Sequence, residues 1–446
     1  MKRHSVALVL RVLLFVLVVM APQLLAAGPT GVAEAAAVAS TSSQDDNGYE
    51  VLHTFTSGAD GANSRAALIR ADDGNLYGTT IYGGGSTSCD TYGCGVVFRM
   101  NTDSTFYEVL HSFDGGYDGA IPAASLLQAS DGYLYGTTLS GGGQGCEPRG
   151  CGTVFRISLD GSEYAVLHAF RGTDGDGLSP VSTLIQAGDG LLYGTTAGGG
   201  AVTESCSAGC GTIFRIALDG TGYTVVHQFT PGDGAFPQAG LIQASNGFLY
   251  GTTFALGGNG TSQCRYPSYV ECGTVYRMSL DGIEFNILHR FSGIGDGQNP
   301  FAAQLEASDG YLYGTTGYGG PIGRCADSFG CGAVFRIDAA GTDYTVYLIP
   351  SRTVGRTPAG RLVEATDGNL YTTSTGGGTS DAGSIFRLAG GELTLVHSFP
   401  YPSAEEGFSP YAGLIQLADE RLYGTTGNGG LGIPGFGVVF RLTIPE

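Results

Sequence analysis

Five pairs of cysteines are the residues whose type and spacing most directly suggest chemistry. Each pair follows or interrupts a glycine-rich stretch, as in "GGGQGCEPRGC" at residues 141–151. A glycine run can cradle phosphate, cysteines can ligate zinc or carry out redox chemistry, and paired cysteines can form structural disulfides. The elements that flank the cysteines decide among these roles. The pairs are Cys89/Cys94, Cys146/Cys151, Cys206/Cys210, Cys264/Cys272 and Cys325/Cys331.

A second candidate set consists of aspartates in stretches such as "GYDGAIP" and "GDGQNP". If these stretches run inward to a channel mouth, their carboxylate oxygens could gather there and bind Ca²⁺. Calcium is therefore the one cofactor that the sequence suggests, and none is required. Asp-Gly is also favourable turn chemistry, because Asp bonds its own backbone and Gly tolerates a positive φ, and we prefer this interpretation. The aspartates are Asp60, Asp118, Asp176, Asp233 and Asp296.

All of these residues belong to a repeated unit. The unit has four short apolar segments, which the second copy shows as "ASLLQA", "YLYGTT", "GTVFRI" and "YAVLHAF". Their alternation and their β-branched and aromatic residues predict strands. Seven tandem copies of four antiparallel strands predict one β-propeller blade per copy. The second segment marks the copies, with tyrosine at Tyr77, Tyr135, Tyr193, Tyr250, Tyr313, Tyr371 and Tyr423.

The first and last copies indicate how the ring closes. The last copy stops after its third strand, "GVVFRL" at 437–442, whereas an unmatched fourth strand, "YEVLHTF", occupies residues 49–55. The N-terminal strand is therefore predicted to complete the last blade, which would remove exposed sheet edges. The predicted fold is an all-β, seven-bladed β-propeller with four antiparallel strands per blade.

The strand context selects among the roles open to the cysteines. The glycine run precedes a strand, "TVFRI", where a phosphate loop would need a helix. Pairs on separate blades point apart and cannot supply four ligands to one zinc ion. Each pair is therefore predicted to form a local disulfide. The same separation predicts a structural, hydrogen-bonded role between blades for His53, His111, His168, His227, His289 and His397.

Composition indicates a folded, exported protein. Hydrophobic residues make up 42% of the chain and charged residues 14%, and the net charge of −19 argues against a nucleic-acid or anionic-membrane partner. Residues 1–27 have the basic start and apolar core of a cleaved signal peptide, with a retained membrane anchor as the alternative. Residues 28–46 are predicted to form a flexible leader and 47–446 a single domain. We expect a secreted monomer, extracellular or periplasmic, that does not contact the membrane after cleavage.

The repeated pattern "DGxLYGTT…GG…GCGTVFRI…YxVLHxF" resembles the GloVer tandem repeat of secreted bacterial proteins, named for Gloeobacter and Verrucomicrobia, over residues 48–442. The resemblance implies an exported repeat protein whose biochemical activity is not established. Members often carry a C-terminal anchoring domain, whereas this sequence ends at "RLTIPE", so we expect release into the medium or periplasm. The glycine run after the second strand is also similar to kelch blades.

One end of the ring is expected to carry function. The turns between first and second strands and between third and fourth strands are short, whereas the cysteine-bearing loops differ from blade to blade. Binding residues are commonly found on such loops when a rigid scaffold holds them. Exposed tyrosines beside charged groups suit sugar recognition. The candidate ligand-binding residues are Tyr82, Tyr92, Glu147, Arg149, Arg265, Tyr266, Tyr269, Tyr318, Arg324 and Phe329.

Three functions fit these observations. The preferred hypothesis is an extracellular binding module for carbohydrate or cell-envelope ligands, which acts through the cysteine-bearing loops. The first alternative is a polysaccharide-acting enzyme, a glycosidase or lyase, that uses carboxylates at the channel mouth. The second is a structural, adhesive or protein-binding matrix protein. The sequence contains no catalytic motif that singles out two of the carboxylates, so we assign no catalytic residue and expect a binder rather than an enzyme.

Overall fold

The computed structural model describes residues 48–445 except 90, 144, 147, 259–271, 294, 321–324, 326–328, 402–404 and 431–434. All regular elements in this part of the chain are strands. Seven antiparallel sheets are arranged as the blades of a propeller, as predicted, and each contains the four predicted strands. None of the described residues lies in a helix that is long and apolar enough to cross a membrane.

Each blade follows one order, from a two-residue innermost strand to a longer outermost strand. Blade 7 is the exception in sequence, because its outermost strand is β1 (Tyr49–Thr54). The first three blades consist of β2 (Ile69–Arg70), β3 (Leu76–Thr80), β4 (Val96–Met100) and β5 (Tyr107–Ser112); β6 (Leu127–Gln128), β7 (Leu134–Thr138), β8 (Thr153–Ile157) and β9 (Tyr164–Ala169); and β11 (Ile185–Gln186), β12 (Leu192–Thr196), β14 (Thr212–Ile216) and β15 (Thr224–Gln228), with a small ladder of β10 (Gly177–Leu178) and β13 (Gly198–Gly199) beside the third.

The remaining blades repeat the arrangement. Blade 6 has a fifth strand, β24, which also pairs with the second strand of that blade. Blades 4 to 7 consist of β16 (Ile242–Gln243), β17 (Leu249–Thr253), β18 (Thr274–Met278) and β19 (Phe285–Arg290); β20 (Leu305–Glu306), β21 (Leu312–Thr316), β22 (Ala333–Ile337) and β23 (Tyr344–Leu348); β24 (Arg356–Pro358), β25 (Val363–Glu364), β26 (Leu370–Gly376), β27 (Ser384–Ala389) and β28 (Glu392–Ser398); and β29 (Ile415–Gln416), β30 (Leu422–Thr425) and β31 (Val438–Leu442), which β1 completes.

The seam is closed as predicted. β1 pairs antiparallel with β31, and Tyr49 lies opposite Leu442. The Glu50 carboxylate also accepts a hydrogen bond from Arg441 Nε at 2.8 Å, so the two ends of the propeller are joined by side chains as well as backbone. The outermost edge of blade 7 is therefore paired, and the ring has no blade with a missing strand.

The second strand of each blade is buried on both faces, because a neighbouring blade covers each side. All five residues of "LYGTT" in β3 are buried. The glycine in this string is a packing requirement, since a Cβ on Gly78 would lie 2.5 Å from the Phe98 ring of the next strand. The apolar clusters span pairs of blades, as where Tyr77 and Phe113 of blade 1 join Phe155 of blade 2. Burial of each such ring stabilises the fold by about 2 kcal/mol or more.

The topology separates two faces of the ring. The turns from first to second and from third to fourth strand lie on one end, which we call the turn face. The loops from second to third strand and the connections between blades lie on the other end, which we call the cysteine-loop face. Four disulfides are described on this face: Cys89–Cys94, Cys146–Cys151, Cys206–Cys210 and Cys325–Cys331. Cys272 is also disulfide-bonded. Such bonds indicate an oxidising compartment.

Candidate functional site

The recurrent histidines lie between blades and stack on aromatic rings. His111 of β5 stacks on Tyr164 of β9, the outermost strand of the next blade, with ring centroids 3.9 Å apart and planes 4° apart. The Tyr164 hydroxyl donates a hydrogen bond to the Asp118 backbone carbonyl at 2.5 Å. The same stack forms at six interfaces, between His53 and Tyr107, His111 and Tyr164, His168 and Tyr223, His227 and Phe285, His289 and Tyr344, and His397 and Tyr49.

The recurrent aspartates complete these stacks. Each carboxylate lies beside the histidine of its own blade, at the start of the connection that leaves the outermost strand. The distances from histidine Nε2 to the carboxylate are 3.6 Å for His53–Asp60, 3.1 Å for His111–Asp118, 3.5 Å for His168–Asp176, 3.3 Å for His227–Asp233, 3.0 Å for His289–Asp296 and 4.0 Å for His397–Glu406.

The carboxylates and tyrosines of these units have shifted pKa values. Desolvation raises the pKa of Asp176, but the neighbouring His168 side chain and hydrogen bonds from Tyr223 and from the Arg171 backbone outweigh it, so the pKa lies below its usual range. The pKa values of Asp60, Asp118, Asp233 and Asp296 are lowered in the same way. Burial raises the pKa of Tyr164 far above its usual value. The tyrosine is therefore a permanent donor and the aspartate a permanent anion at neutral pH, which is a structural arrangement.

At one interface the histidine, its stacked aromatic partner and the aspartate are all replaced by other residues. Between blades 5 and 6, Tyr347 occupies the histidine position and Leu393 the position of the stacked aromatic ring. Val354 stands where the aspartate would be, and the three residues belong to one apolar cluster. Because the histidine, its aromatic partner and the aspartate disappear together, they act as one unit at the other interfaces.

The aspartates predicted as calcium ligands therefore lie apart, each on its own blade. Among the described residues no group of three or more His, Cys, Asp or Glu side chains could hold a metal ion. The carboxylates turn back into their own connections, as where Asp60 accepts a hydrogen bond from the Thr56 backbone N–H at 3.0 Å. Calcium binding stays a prediction. A calcium ion would have to compete with the histidines and backbone N–H groups that already contact these carboxylates.

The disulfides hold the part of each loop that receives the next blade. The carbonyl oxygen of Cys94 accepts a hydrogen bond from the Ile121 N–H of blade 2 at 2.8 Å. Ile121 has a φ of 59°, an unusual conformation for a β-branched residue that costs about 1 kcal/mol or more. The equivalent residues adopt φ values of 54–59° in all seven blades: Asn63, Ile121, Ser179, Phe236, Asn299, Thr357 and Ser409.

Blade 6 lacks cysteines and closes its loop with charges instead. Asp381 Oδ2 forms ion pairs with Arg352 and Arg356, the latter at 3.2 Å. Asp381 Oδ1 accepts a hydrogen bond from the Gly377 N–H at 2.8 Å. Desolvation raises the pKa of Asp381, but the two arginines and this N–H outweigh it and lower the pKa overall. The salt bridges thus tie the cysteine-free loop to the connection between blades 5 and 6.

Three predicted binding residues occupy one equivalent position on different blades. The carbonyls of Tyr92, Arg149 and Phe329 accept hydrogen bonds from Gly83, Gly141 and Gly319 at 2.7, 2.6 and 2.8 Å. The backbone is thus fixed while the side chain changes from blade to blade, with alanine at position 208 in blade 3. A fixed backbone with varied side chains is the arrangement expected of a binding surface on a rigid scaffold.

Two blades carry aromatic pairs at this position. The rings of Tyr82 and Tyr92 are 5.7 Å apart in blade 1, and those of Tyr318 and Phe329 are 5.9 Å apart in blade 5. In blade 5 the row extends inward, since the Phe301 ring lies 6.2 Å from Tyr318. The structure thus brings four of the predicted residues together as two pairs. Glu147, Cys264, Arg265, Tyr266, Tyr269 and Arg324 lie outside the described residues.

The exposed tyrosines of the described chain all lie on the cysteine-loop face. Tyr92 is 51% exposed, Tyr117 66% and Tyr401 47%. Tyr92 lies in the loop of blade 1, Tyr117 in the connection from blade 1 to blade 2 and Tyr401 in the connection from blade 6 to blade 7. They therefore fall within one sector of the ring, from the connection between blades 6 and 7 to the connection between blades 1 and 2. Sequence reasoning missed Tyr117 and Tyr401 because it searched the loops and treated the connections only as sources of carboxylates.

Comparison with known protein families shows which family the chain belongs to. The model of the Gloeobacter/Verrucomicrobia repeat matches residues 30–265 and 264–446. The chain belongs to this family. The family assignment agrees with the seven copies of its repeat and with the seven blades. No match in sequence is found among curated proteins.

Solved propellers show that the fold of this Gloeobacter/Verrucomicrobia repeat protein is shared with enzymes. An oligogalacturonate lyase in complex with manganese has 12% identity and a TM-score of 0.53, with coverage of 91% of this chain and 96% of that one. A fungal alcohol oxidase of the AA5 family in complex with copper has 12% identity and a TM-score of 0.53, with coverage of 87% and 78%. At this identity the likeness concerns the fold alone.

Proposed function

We propose that this repeat protein is a secreted binding module that holds carbohydrate or cell-envelope glycan on its cysteine-loop face. The observation that carries the proposal is the concentration of exposed tyrosines, Tyr92, Tyr117 and Tyr401, in one sector of that face, from the connection between blades 6 and 7 to the connection between blades 1 and 2. A tyrosine offers a flat apolar ring and a hydroxyl at low conformational cost, which matches the apolar face and hydroxyls of a sugar.

The scaffold supports this proposal by its rigidity. Tyr92 stands two residues before Cys94, whose disulfide closes the loop, and its carbonyl is bonded to Gly83. The disulfide also packs on the connection that leaves the blade, because a Cβ on Gly115 would lie 2.7 Å from Cys89 Sγ. Loop and connection are therefore held together, so ligand binding would cost little ordering of the face.

The enzyme alternative needs a pair of carboxylates that faces one bond of a substrate. The candidate carboxylates lie beside histidines on separate blades, and no described observation selects two of them. Binding without chemistry is therefore the function that the geometry supports best.

The test is retention of the full-length protein on a panel of glycans and insoluble cell-wall polysaccharides, with calcium and then with chelator. We expect selective retention, and Tyr92→Ala and Tyr117→Ala should each weaken binding about fivefold, since one aromatic contact contributes about 1 kcal/mol. Ile283→Ser is the matched control, because Ile283 is 86% exposed on the turn face.

Each outcome has one meaning. Equal loss in the tyrosine variants and in the control would place binding elsewhere on the ring. No retention on any glycan would overturn the carbohydrate proposal and favour a protein ligand or an adhesive role. Product release from a retained polysaccharide would favour the enzyme. Loss of retention with chelator would show that calcium takes part.

A further inference from the structure

A ring of small residues surrounds the axis of the propeller, and one member breaks the pattern. Neighbours in this ring touch across blades: a Cβ on Gly240 would lie 3.2 Å from the Thr183 carbonyl oxygen and 3.7 Å from Ala303 Cβ. A Cβ on Gly413 would likewise lie 2.8 Å from the Arg361 carbonyl oxygen. We call these residues the inner ring, and Arg361 is its one charged side chain: Ala67, Ser125, Thr183, Gly240, Ala303, Arg361 and Gly413.

Arg361 lies at the channel and has no acidic partner among the described residues. Its Nε donates a hydrogen bond to the carbonyl of Gln304, on the innermost segment of blade 5, at 3.1 Å. The residue is solvent-exposed, yet desolvation by the surrounding protein lowers its pKa, which fits a side chain that is flanked by the innermost segments of neighbouring blades. A carboxylate partner would raise that pKa instead. In the described part of the chain no carboxylate forms an ion pair with this guanidinium.

The nearby carboxylates of the innermost strands are engaged elsewhere. Glu306 accepts hydrogen bonds from the Ser245 N–H at 2.8 Å and hydroxyl at 2.6 Å. Glu364 accepts from the Ser308 N–H at 2.8 Å and also from its hydroxyl. Both glutamates thus bind the preceding blade, and neither forms an ion pair with Arg361.

A second arginine lies nearer the cysteine-loop face. Arg65 stands two residues before the inner ring in blade 1, and its Nε donates to Asn63 Oδ1 at 2.8 Å. Its guanidinium carbon lies 4.6 Å from the centre of the Tyr411 ring of blade 7. Tyr411 in turn stands two residues before Gly413, which contacts Arg361. Among the described residues neither the Arg65 guanidinium nor the Arg361 guanidinium has an ion-pair partner.

These groups are unusual in a chain with a net charge of −19. A guanidinium presents a planar fork of donors that fits a carboxylate with two parallel hydrogen bonds, and partial desolvation by the surrounding protein strengthens that attraction. Arg361 has no ion-pair partner among the described residues, so its charge is available to a carboxylate. The small side chains of the inner ring leave space for that ligand. We propose that the channel binds the carboxylate of an acidic sugar, a uronic acid residue, through Arg361.

The proposal rests on the glycan-binding function and specifies the class of glycan. The experiment is calorimetric titration of the full-length protein with a galacturonate trimer and with a galactose trimer. We expect the acidic trimer to bind at least tenfold more tightly, with an affinity that falls as salt rises. Arg361→Ser should weaken its binding about tenfold to a hundredfold, the usual effect of removing a charged hydrogen-bond partner, and leave the neutral trimer unaffected.

Two features of the repeat make the variants reliable. Arg361→Ser introduces the residue that blade 2 carries at Ser125, so the variant should fold, which thermal unfolding checks. Arg70→Gln is the control for total charge, since it introduces the residue that blade 2 carries at Gln128, at the other end of the innermost strand. We expect it to bind the acidic trimer as the parent protein does.

The outcomes separate this inference from the proposed function. Equal binding of both trimers, or no effect of Arg361→Ser, would overturn the inference and leave the glycan-binding function standing. Binding of free galacturonate but of neither trimer, with loss in Arg361→Ser, would support the carboxylate site and refute a saccharide-binding face. An equal loss in Arg70→Gln would show that net charge alone is responsible and would overturn the inference.

Discussion

The unit formed by His168, Asp176 and Tyr223 gives the sharpest test of how the blades are joined. The Asp176 carboxylate accepts hydrogen bonds from the Tyr223 hydroxyl at 2.5 Å, the Arg171 N–H at 2.9 Å and the Gly177 N–H at 2.7 Å. It also lies 3.5 Å from His168 Nε2. The perturbation is Asp176→Asn, which keeps the shape of the side chain and removes its charge.

The magnitude follows from these contacts. Asparagine keeps one acceptor oxygen, and its NH₂ group faces at least one of the donors. A hydrogen bond to a charged group contributes about 1.5–3 kcal/mol, against about 1 kcal/mol for a neutral one. Weakening roughly two such bonds should lower the free energy of unfolding by about 2 kcal/mol. The side chain is only 13% exposed, so solvent screens little of this effect.

The pH dependence supplies an independent check. Desolvation raises the pKa of Asp176, and the neighbouring His168 side chain with the hydrogen bonds from Tyr223 and Arg171 lowers it more, so the folded value lies below the unfolded value of about 3.9. A group with a lowered pKa stabilises the fold above the unfolded value and loses that contribution as pH falls through the folded value. The cost of Asp176→Asn should therefore be largest at pH 7 and shrink towards pH 3.

The assay is equilibrium unfolding in denaturant at pH 7, 5 and 3, with Asp174→Asn as the control. Asp174 is exposed in the same connection, so its substitution should change the free energy of unfolding by less than about 0.5 kcal/mol. A cost for Asp176→Asn that is equal to the control, or that stays constant from pH 7 to pH 3, would refute the view that an anionic aspartate joins these blades.

Further predictions concern the loops and are checked by equilibrium unfolding. Gly95→Ala should cost about 3 kcal/mol, since its Cβ would meet a backbone oxygen of β3 at 2.3 Å, whereas Gly132→Ala, at a similar positive φ in open space, should cost about 1 kcal/mol. Replacing Cys206 and Cys210 together with serine should cost about 2 kcal/mol. Asp381→Ala should cost about 1 kcal/mol, and high salt should reduce that cost, because the ion pairs are partly exposed.

The fold was predictable because one pattern is repeated seven times. A single "YLYGTT" segment would be an ambiguous apolar run, but seven copies at similar spacing fix the strand order, the loop that carries the cysteines and the missing strand that β1 supplies. The four described disulfides join the cysteines that the sequence paired. The seam between Tyr49 and Leu442 lies where the incomplete last copy required it.

The candidate site was less predictable, for physical reasons. The sequence shows an aspartate shortly after each histidine, as Asp118 follows His111 by seven residues. It does not show that the chain is still beside the outermost strand at that point. The aspartates were therefore predicted closer to the axis than they are. Ile121 could not be expected at a positive φ, because tertiary contacts with the preceding blade override its local preference. Arg361 stands out only when the seven innermost segments are aligned, because the other six have a small residue at that position.

The seam also sets the order of events when the chain folds. Tyr49 and Leu442 are almost four hundred residues apart in sequence, so their pairing is the most non-local contact in the ring and can form only after the last repeat is available. Until then β1 exposes an unpaired edge, which is prone to associate with other strands. The first of the described strands thus pairs with the last, and blade 7 can be completed only when both ends of the ring are present.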